Sequence, residues 1–243
     1  MEKNEPIFEI LHMPPENTNS VLVSQNGNAV IFDAWGRTED WEKLLSERRL
    51  NLRAIYSTHG HSDHISAAPM LAEKYNIPWF LNSDDKDLII WGNSILDFFN
   101  IPRIESNHKE SEDLRAGFRN ILPSVQMQVI ETPGHSKGGL SFYFPDYKIL
   151  LTGDTLFRDS FGRYDLPGGD ANVLSESISK LYELDLPDDT YVVHGHGIDS
   201  TIEILKHQNP YFVKHKCCHG EKDCRCDKKE HHCCHCHGKC DCE

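Results

Sequence analysis

Ser57-Thr-His-Gly-His-Ser-Asp-His64 places three imidazoles and a carboxylate within six residues, His59 to His64, where an apolar run from Arg53 to Ser57 ends. So many polar groups in one loop are costly unless something binds them. His59 and His61 are two apart, so on an extended segment they point the same way. Asp63 and His64 fall on the turn that follows and can face a second point. That geometry suits two metal ions rather than one. Neutral imidazole and carboxylate are ligands for zinc and equally for iron or manganese, so ligand type leaves the metal open. The competing reading is a solvated loop whose Asp63 caps the next helix.

Short or alternating apolar runs at Ile7 to Leu11, Ser20 to Ser24, Ala29 to Asp33 and Arg53 to Ser57 predict strands, with Gln25 to Asn28 as a hairpin turn. Further strands are expected at Trp79 to Leu81, Met127 to Glu131, Leu140 to Phe144, Lys148 to Leu151 and Thr190 to Val193, with a Pro145 to Tyr147 turn. Helical spacing marks Glu39 to Arg48, Ile65 to Tyr75, Asp170 to Leu184 and Thr201 to Lys206. The pattern predicts a mixed α/β core with hairpins. Residues 93–122 fit neither period cleanly: Ile95 to Phe99 is apolar and Glu105 to Glu112 mostly charged, which suggests a covering loop or short helix beside a site.

One loop cannot close two coordination spheres, so other strand ends must contribute. His135 in Thr132-Pro-Gly-His-Ser136, Asp154 in Thr152-Gly-Asp-Thr155 and His196 in His194-Gly-His-Gly197 each follow an apolar run beside glycine. That is where open α/β sheets place their sites. Each signal alone is weak, since Asp154 also suits a turn. With His59, His61, Asp63 and His64 they make seven candidate metal ligands.

The His-x-His-x-Asp-His stretch at His59 to His64, with His135, Asp154 and His196 in that order, resembles the metallo-β-lactamase superfamily. The resemblance covers residues 7 to 213 and implies a four-layer αβ/βα sandwich with metals at one edge. It implies His59, His61 and His135 on one ion, Asp63, His64 and His196 on the other, and Asp154 bridging. Gly153 to Arg158, Phe161 to Asp170 and Thr201 to Phe212 look like the glyoxalase II-like hydrolases of the short single-domain bacterial type. Such enzymes hydrolyse a thioester such as S-lactoylglutathione. Full-length members add a C-terminal helical domain with glutathione contacts, whereas here the similar part stops near Val213. His194 also departs from the proline usual in short members, and is expected to be exposed.

From that resemblance follow two divalent ions, zinc first and iron or manganese next, sharing a water whose pKa falls toward neutrality. The hydroxide would attack the thioester carbonyl, with Asp63 and Asp154 orienting it and a thiolate leaving without a general acid. Arg163 and Tyr164 are candidate substrate contacts, the arginine for a carboxylate. Arg158 and the Gly168-Gly169 turn are weaker candidates for the same rim. The alternatives are a mononuclear iron persulfide dioxygenase, which shares the histidine stretch, another hydrolase of esters, lactones or β-lactams, and a metal-storage protein.

Net charge is −13 over 243 residues, which speaks against a nucleic-acid partner. It also disfavours long-range steering of an anionic substrate. The start has no signal-peptide pattern and no stretch approaches a membrane span, so the default compartment is the cytoplasm, with no membrane partner. The sequence assigns no oligomeric state. All nine cysteines and six of fifteen histidines lie between His215 and Glu243. The chain therefore divides into a hydrolase domain over 1–213 and a disordered Cys/His-rich tail over 214–243. In a reducing compartment Cys217, Cys218, Cys224, Cys226, Cys233, Cys234, Cys236, Cys240 and Cys242 are candidate metal ligands rather than disulfides.

Overall fold

The computed structural model describes residues 5–13 and 18–212, so the tail and its nine cysteines lie outside the described residues. The first sheet runs β1 (Ile7–Met13), β2 (Thr18–Gln25), β3 (Asn28–Phe32), β4 (Asn51–Tyr56), β5 (Trp79–Leu81) and β6 (Glu112–Asp113). A hairpin through Asn26 and Gly27, both at positive φ, joins β2 to β3, and the later strands pair in parallel. The second sheet follows from β7 (Gly117–Leu122) through β8 (Val125–Glu131), β9 (Leu140–Phe144), β10 (Ile149–Gly153) and β11 (Tyr191–His194) to β12 (Ser200–Thr201).

Side chains alternate across each strand and sort into three apolar layers. Val30 and Phe32 of β3 face the second sheet's Met127, Phe142 and Phe144. Ala29 and Ile31 point the other way, against Trp41 and Leu45 of α1 (Thr38–Glu47) and Leu71 of a later helix. On the far side, Tyr143, Leu150 and Val192 pack under Leu174, Ile178 and Leu181 of α6 (Ala171–Glu183) and Leu205 of α7 (Ile202–Gln208). Helix, sheet, sheet, helix is the four-layer αβ/βα sandwich. Among the described residues no helix is long and apolar enough to cross a membrane.

The helix expected over Ile65 to Tyr75 is two: α2 (Ser62–Ile65) and α3 (Ala68–Tyr75). Pro69 in the first turn of α3 cannot donate to the Ile65 carbonyl, so the chain breaks. The break is used, since Ala67 donates to the Ala34 carbonyl and the Ser66 hydroxyl to that of Gly36. Residues 93–122 resolve into α5 (Asn93–Phe98), preceded by α4 (Leu88–Trp91), then β6 and β7. Only Leu96 of α5 is buried, and Phe118 of β7 is exposed at a sheet edge, which explains the missing periodicity.

Candidate metal centre

The seven candidate ligands follow the C-terminal ends of β4, β8, β10 and β11 and converge. His61 Nδ1 lies 2.9 Å from His135 Nε2, His64 Nε2 lies 3.2 Å from His196 Nε2, and His196 Nε2 lies 3.1 Å from Asp63 Oδ2. Asp154 spans both groups, with Oδ2 3.6 Å from His135 Nε2 and 3.7 Å from His196 Nε2. The donor atoms of His59, His61 and His135 lie within 4.8 Å of one another, as do those of Asp63, His64 and His196, and those of His59, His64 and Asp154. Donors on one tetrahedral zinc, with bonds of about 2.0 Å to nitrogen, stand roughly 3.3 Å apart.

Buried atoms test whether a cation fits. His59 Nε2 and Asp154 Oδ1 are shielded from solvent, have no hydrogen-bond partner and belong to one ligand cluster. An orphaned buried group costs about 1–3 kcal/mol, and two in one place call for a common partner. Burial, then the neighbouring His64, His61 and His135, hold His59 well below the usual histidine range. Burial and His135 bring His61 down to about 4. Both are therefore neutral, as ligands must be. Burial pulls His64 down too, but Asp154, Asp33 and Asp63 outweigh it and raise it well above the usual range. Positive charge is wanted between those carboxylates, and the donor set fits a pair of divalent cations.

Partners on the far side fix three of the five imidazoles, those of His59, His64 and His135. Asp33, at a φ of 53° after β3, accepts from the Thr58 amide at 2.7 Å, the Thr58 hydroxyl at 2.8 Å and His64 Nδ1 at 3.0 Å. Thr58 Oγ1 also meets His59 Nδ1 at 3.0 Å, and His135 Nδ1 donates to the Arg163 carbonyl at 2.6 Å. Each contact leaves the opposite nitrogen of its ring for a ligand. Fully buried Asp85 accepts from the Gly60 and Gly138 amides and the Ser136 hydroxyl, tying the His59 loop to the His135 loop. Asn19 of β2 donates to the carbonyls of His194 and Gly197 and so grips the His196 loop. A Cβ on Gly195 would stand 2.0 Å from Asp154 Oδ1, so only glycine lets that loop close.

Above the ligands opens a cleft of about 500 Å³. Asp63, Asp154 and His196 lie on its floor, Trp91, Ile95, Phe98 and Phe99 form one wall, and Arg163 and Leu166 face them.

The sequence profile of the metallo-beta-lactamase superfamily matches residues 13–196. The chain belongs to that superfamily. It is 33% identical to the hydroxyacylglutathione hydrolase GloC of Haemophilus influenzae over 79% of this chain and 91% of that one. Among solved structures it is similar to the BLEG-1 B3 metallo-beta-lactamase, with TM-score 0.75 and 30% identity over 85% of this chain and all of that one. TTHA1623 in a di-iron-bound form gives TM-score 0.73 and 32% identity over 84% and 99%. As a member of this superfamily the protein is a metal-dependent hydrolase.

Around the superfamily's ligand set, the structure corrects one expectation. His194 is 1% exposed: Nδ1 donates to the Leu156 carbonyl at 2.6 Å and Nε2 meets Ser200 Oγ at 2.8 Å. Surface preference fails because His194 ends β11, which lies between β10 and β12, and its ring is held between Leu156 and Ser200. Arg163 lines the cleft, but its guanidinium forms a two-pronged pair with Asp165 at 2.8 Å. Tyr164 is half-exposed, stacks on Phe161 and does not line the cleft. Arg158 lines a smaller groove beyond His196, and Gly168 turns at a φ of 89°. Sequence reasoning missed Asp33, Asp85, Asn19 and Trp91. For Asp33 a signal existed, an acid closing the apolar run of β3; the others depend on distant partners.

Proposed function

We propose that the protein is a binuclear metal-dependent thioester hydrolase of the glyoxalase II type, acting on S-acyl conjugates of small thiols such as S-lactoylglutathione. The carrying observation is the double cluster. His59, His61 and His135 would hold one ion, Asp63, His64 and His196 the other, and Asp154 both. Zinc suits the set, and iron or manganese are the ions to compare with it. Such a pair supplies Lewis acidity, bringing the pKa of water toward neutrality and favouring negative charge on a carbonyl oxygen.

The chain's own residues do the rest. Asp63 and Asp154 face the cleft with carboxylate oxygens that can accept from an attacking water and fix its direction. The wall of Trp91 and Phe99 limits bulk water beside the reacting carbonyl. A thiolate leaves readily, so the lack of a general acid beyond the ligands is no obstacle. Arg163 lines the cleft and remains the candidate for a substrate carboxylate, in exchange for Asp165. The Arg163-Tyr-Asp-Leu-Pro-Gly-Gly169 loop looks more like that of the hydrolases than that of a persulfide dioxygenase with one iron, which favours the hydrolase.

The test is loss of S-lactoylglutathione by the chain reconstituted with zinc, iron or manganese, beside Asp63→Ala, with bound metal counted on the chain ending at Lys216. Turnover that drops more than ~100-fold in the variant, beyond the range for outer-shell changes, supports the proposal. Two bound metals without turnover of any thioester would sink it in favour of lactones or β-lactams. One bound iron with oxygen consumption would replace it with the dioxygenase.

A further inference from the structure

Four large apolar side chains, Trp91, Ile95, Phe98 and Phe99, stand over the metal ligands. Phe98 is 79% exposed and Trp91 44%. Contiguous apolar surface left in water is uncommon without a partner. Here it borders the cleft in which the scissile bond must lie.

The wall is tied to the metal loop. The Trp91 ring centroid stands 6.2 Å from that of His61. A Cβ on Gly92 would come within 2.5 Å of Ser62 Cβ and Oγ, so α4 and α5 rest against α2 at a distance only glycine permits. Asn93 brackets the Ile104 backbone through its amide nitrogen and oxygen, which pins the start of α5. Leu96 anchors α5 in the core, while Ile95 and Phe98 meet the cleft.

Cationic side chains are scarce in the cleft. Among the described residues lining the cleft, Arg163 alone is a Lys or Arg, and Asp165 already engages it.

We infer that the preferred substrate carries an apolar arm, medium-chain aliphatic or aryl, on one side of the scissile carbonyl, seated against Trp91, Ile95 and Phe98. The inference rests on the thioesterase reading and narrows it: S-lactoylglutathione, polar on both sides, is a slow member of the class. The arm has two possible sources, the acyl group or the thiol, with the same chemistry.

The experiment uses the zinc-loaded full chain and two series. One varies the acyl group on glutathione through acetyl, lactoyl, hexanoyl and benzoyl. The other varies the thiol of an acetyl thioester between glutathione and 2-phenylethanethiol. A fully buried methylene contributes about fourfold in kcat/KM, and a cleft open on one side gives a part of that. Hexanoyl over acetyl, or phenylethyl over glutathione, should therefore gain roughly tenfold. Phe98→Ala should flatten the favoured series, while Ile90→Ala on α4, outside the cleft, leaves the ratio alone. Tryptophan fluorescence gives a readout without turnover: hexanoate against lactate, and hexyl methyl sulfide against S-methylglutathione, with the apolar member binding tighter and Phe98→Ala erasing the difference. Hydrolysis with no preference in either series overturns the inference and leaves the thioesterase standing. Apolar preference in binding, with no thioester cleaved, overturns the thioesterase and keeps the apolar arm.

Discussion

The two halves of the candidate metal centre are built differently. His59, His61, Asp63 and His64 come from one loop, in which Thr58 and Asp33 hold His59 and His64 and Asp85 accepts from the Gly60 amide. His135, Asp154 and His196 come from three loops, and the outer two are steadied from outside the second sheet. Asp85 reaches the His135 loop from the segment after β5, and Asn19 reaches the His196 loop from β2. A compact motif concentrates its dependence on a few neighbours, whereas a dispersed one spreads it across the fold. Damage to the first half should therefore appear in metal binding, and damage to the second in stability as well.

The strongest challenge to that distinction is Asp33→Asn. One carboxylate positions both Thr58 and His64, and Thr58 in turn meets His59. An amide cannot accept from all three donors with both of its terminal atoms. Loss of an outer-shell partner typically lowers metal affinity or activity 10- to 100-fold, and we expect that range here with Tm of the metal-free chain changed little. Metal titration followed by calorimetry checks it, and an unchanged affinity would mean that the loop orients itself.

Asp85→Ala should act in the opposite way. It leaves the Gly60 and Gly138 amides and the Ser136 hydroxyl without their common acceptor in a buried place. At about 1–3 kcal/mol per unmet group, moderated by water entering the space, the chain should lose on the order of 4 kcal/mol. Chemical denaturation without metal measures this directly. A loss below about 1 kcal/mol would show that the two loops do not depend on their shared carboxylate.

What could be read from the sequence follows the same division. The His59 to His64 stretch announces itself because its ligands are neighbours in the chain, and β2, β3, β8 and β9 do so as short apolar or alternating runs bounded by turn residues. His135, Asp154 and His196 were readable only as a set, each beside a glycine at a strand end. Asp85 and Asn19 carry no local mark: the loops they hold lie 25 to 178 positions away. Trp91 was obscured for a different reason, whereas Phe98 lies in the apolar Ile95 to Phe99 stretch that already suggested a covering segment beside a site. Exposed on a short helix, Trp91 breaks the amphipathic rule that sequence patterns rely on. His194 misled because average surface preference was applied to a residue whose position in the sheet order decides its burial.

His194 supplies the smallest effect and a sign that can be worked out. Burial brings it from the ordinary histidine value of 6.5 down to about 4, although the Leu156 carbonyl and Asp154 pull the other way. The fold therefore holds this proton less tightly than the unfolded chain. Between pH 6.5 and about 4 the unfolded chain carries more of it, so stability rises with pH across that window. The contribution is complete above 6.5 and is lost as pH falls to about 4. Over pH 7 to 5.5 this amounts to about 1 kcal/mol, each pH unit inside the window being worth ~1.4 kcal/mol. Other buried histidines titrate as well, so the quantity to follow is the stability difference between the wild-type chain and His194→Gln. Glutamine keeps a donor and an acceptor but cannot take the proton. The wild-type advantage should shrink by about 1 kcal/mol on acidification across that range. A difference independent of pH would mean that the fold does not penalise protonation of His194.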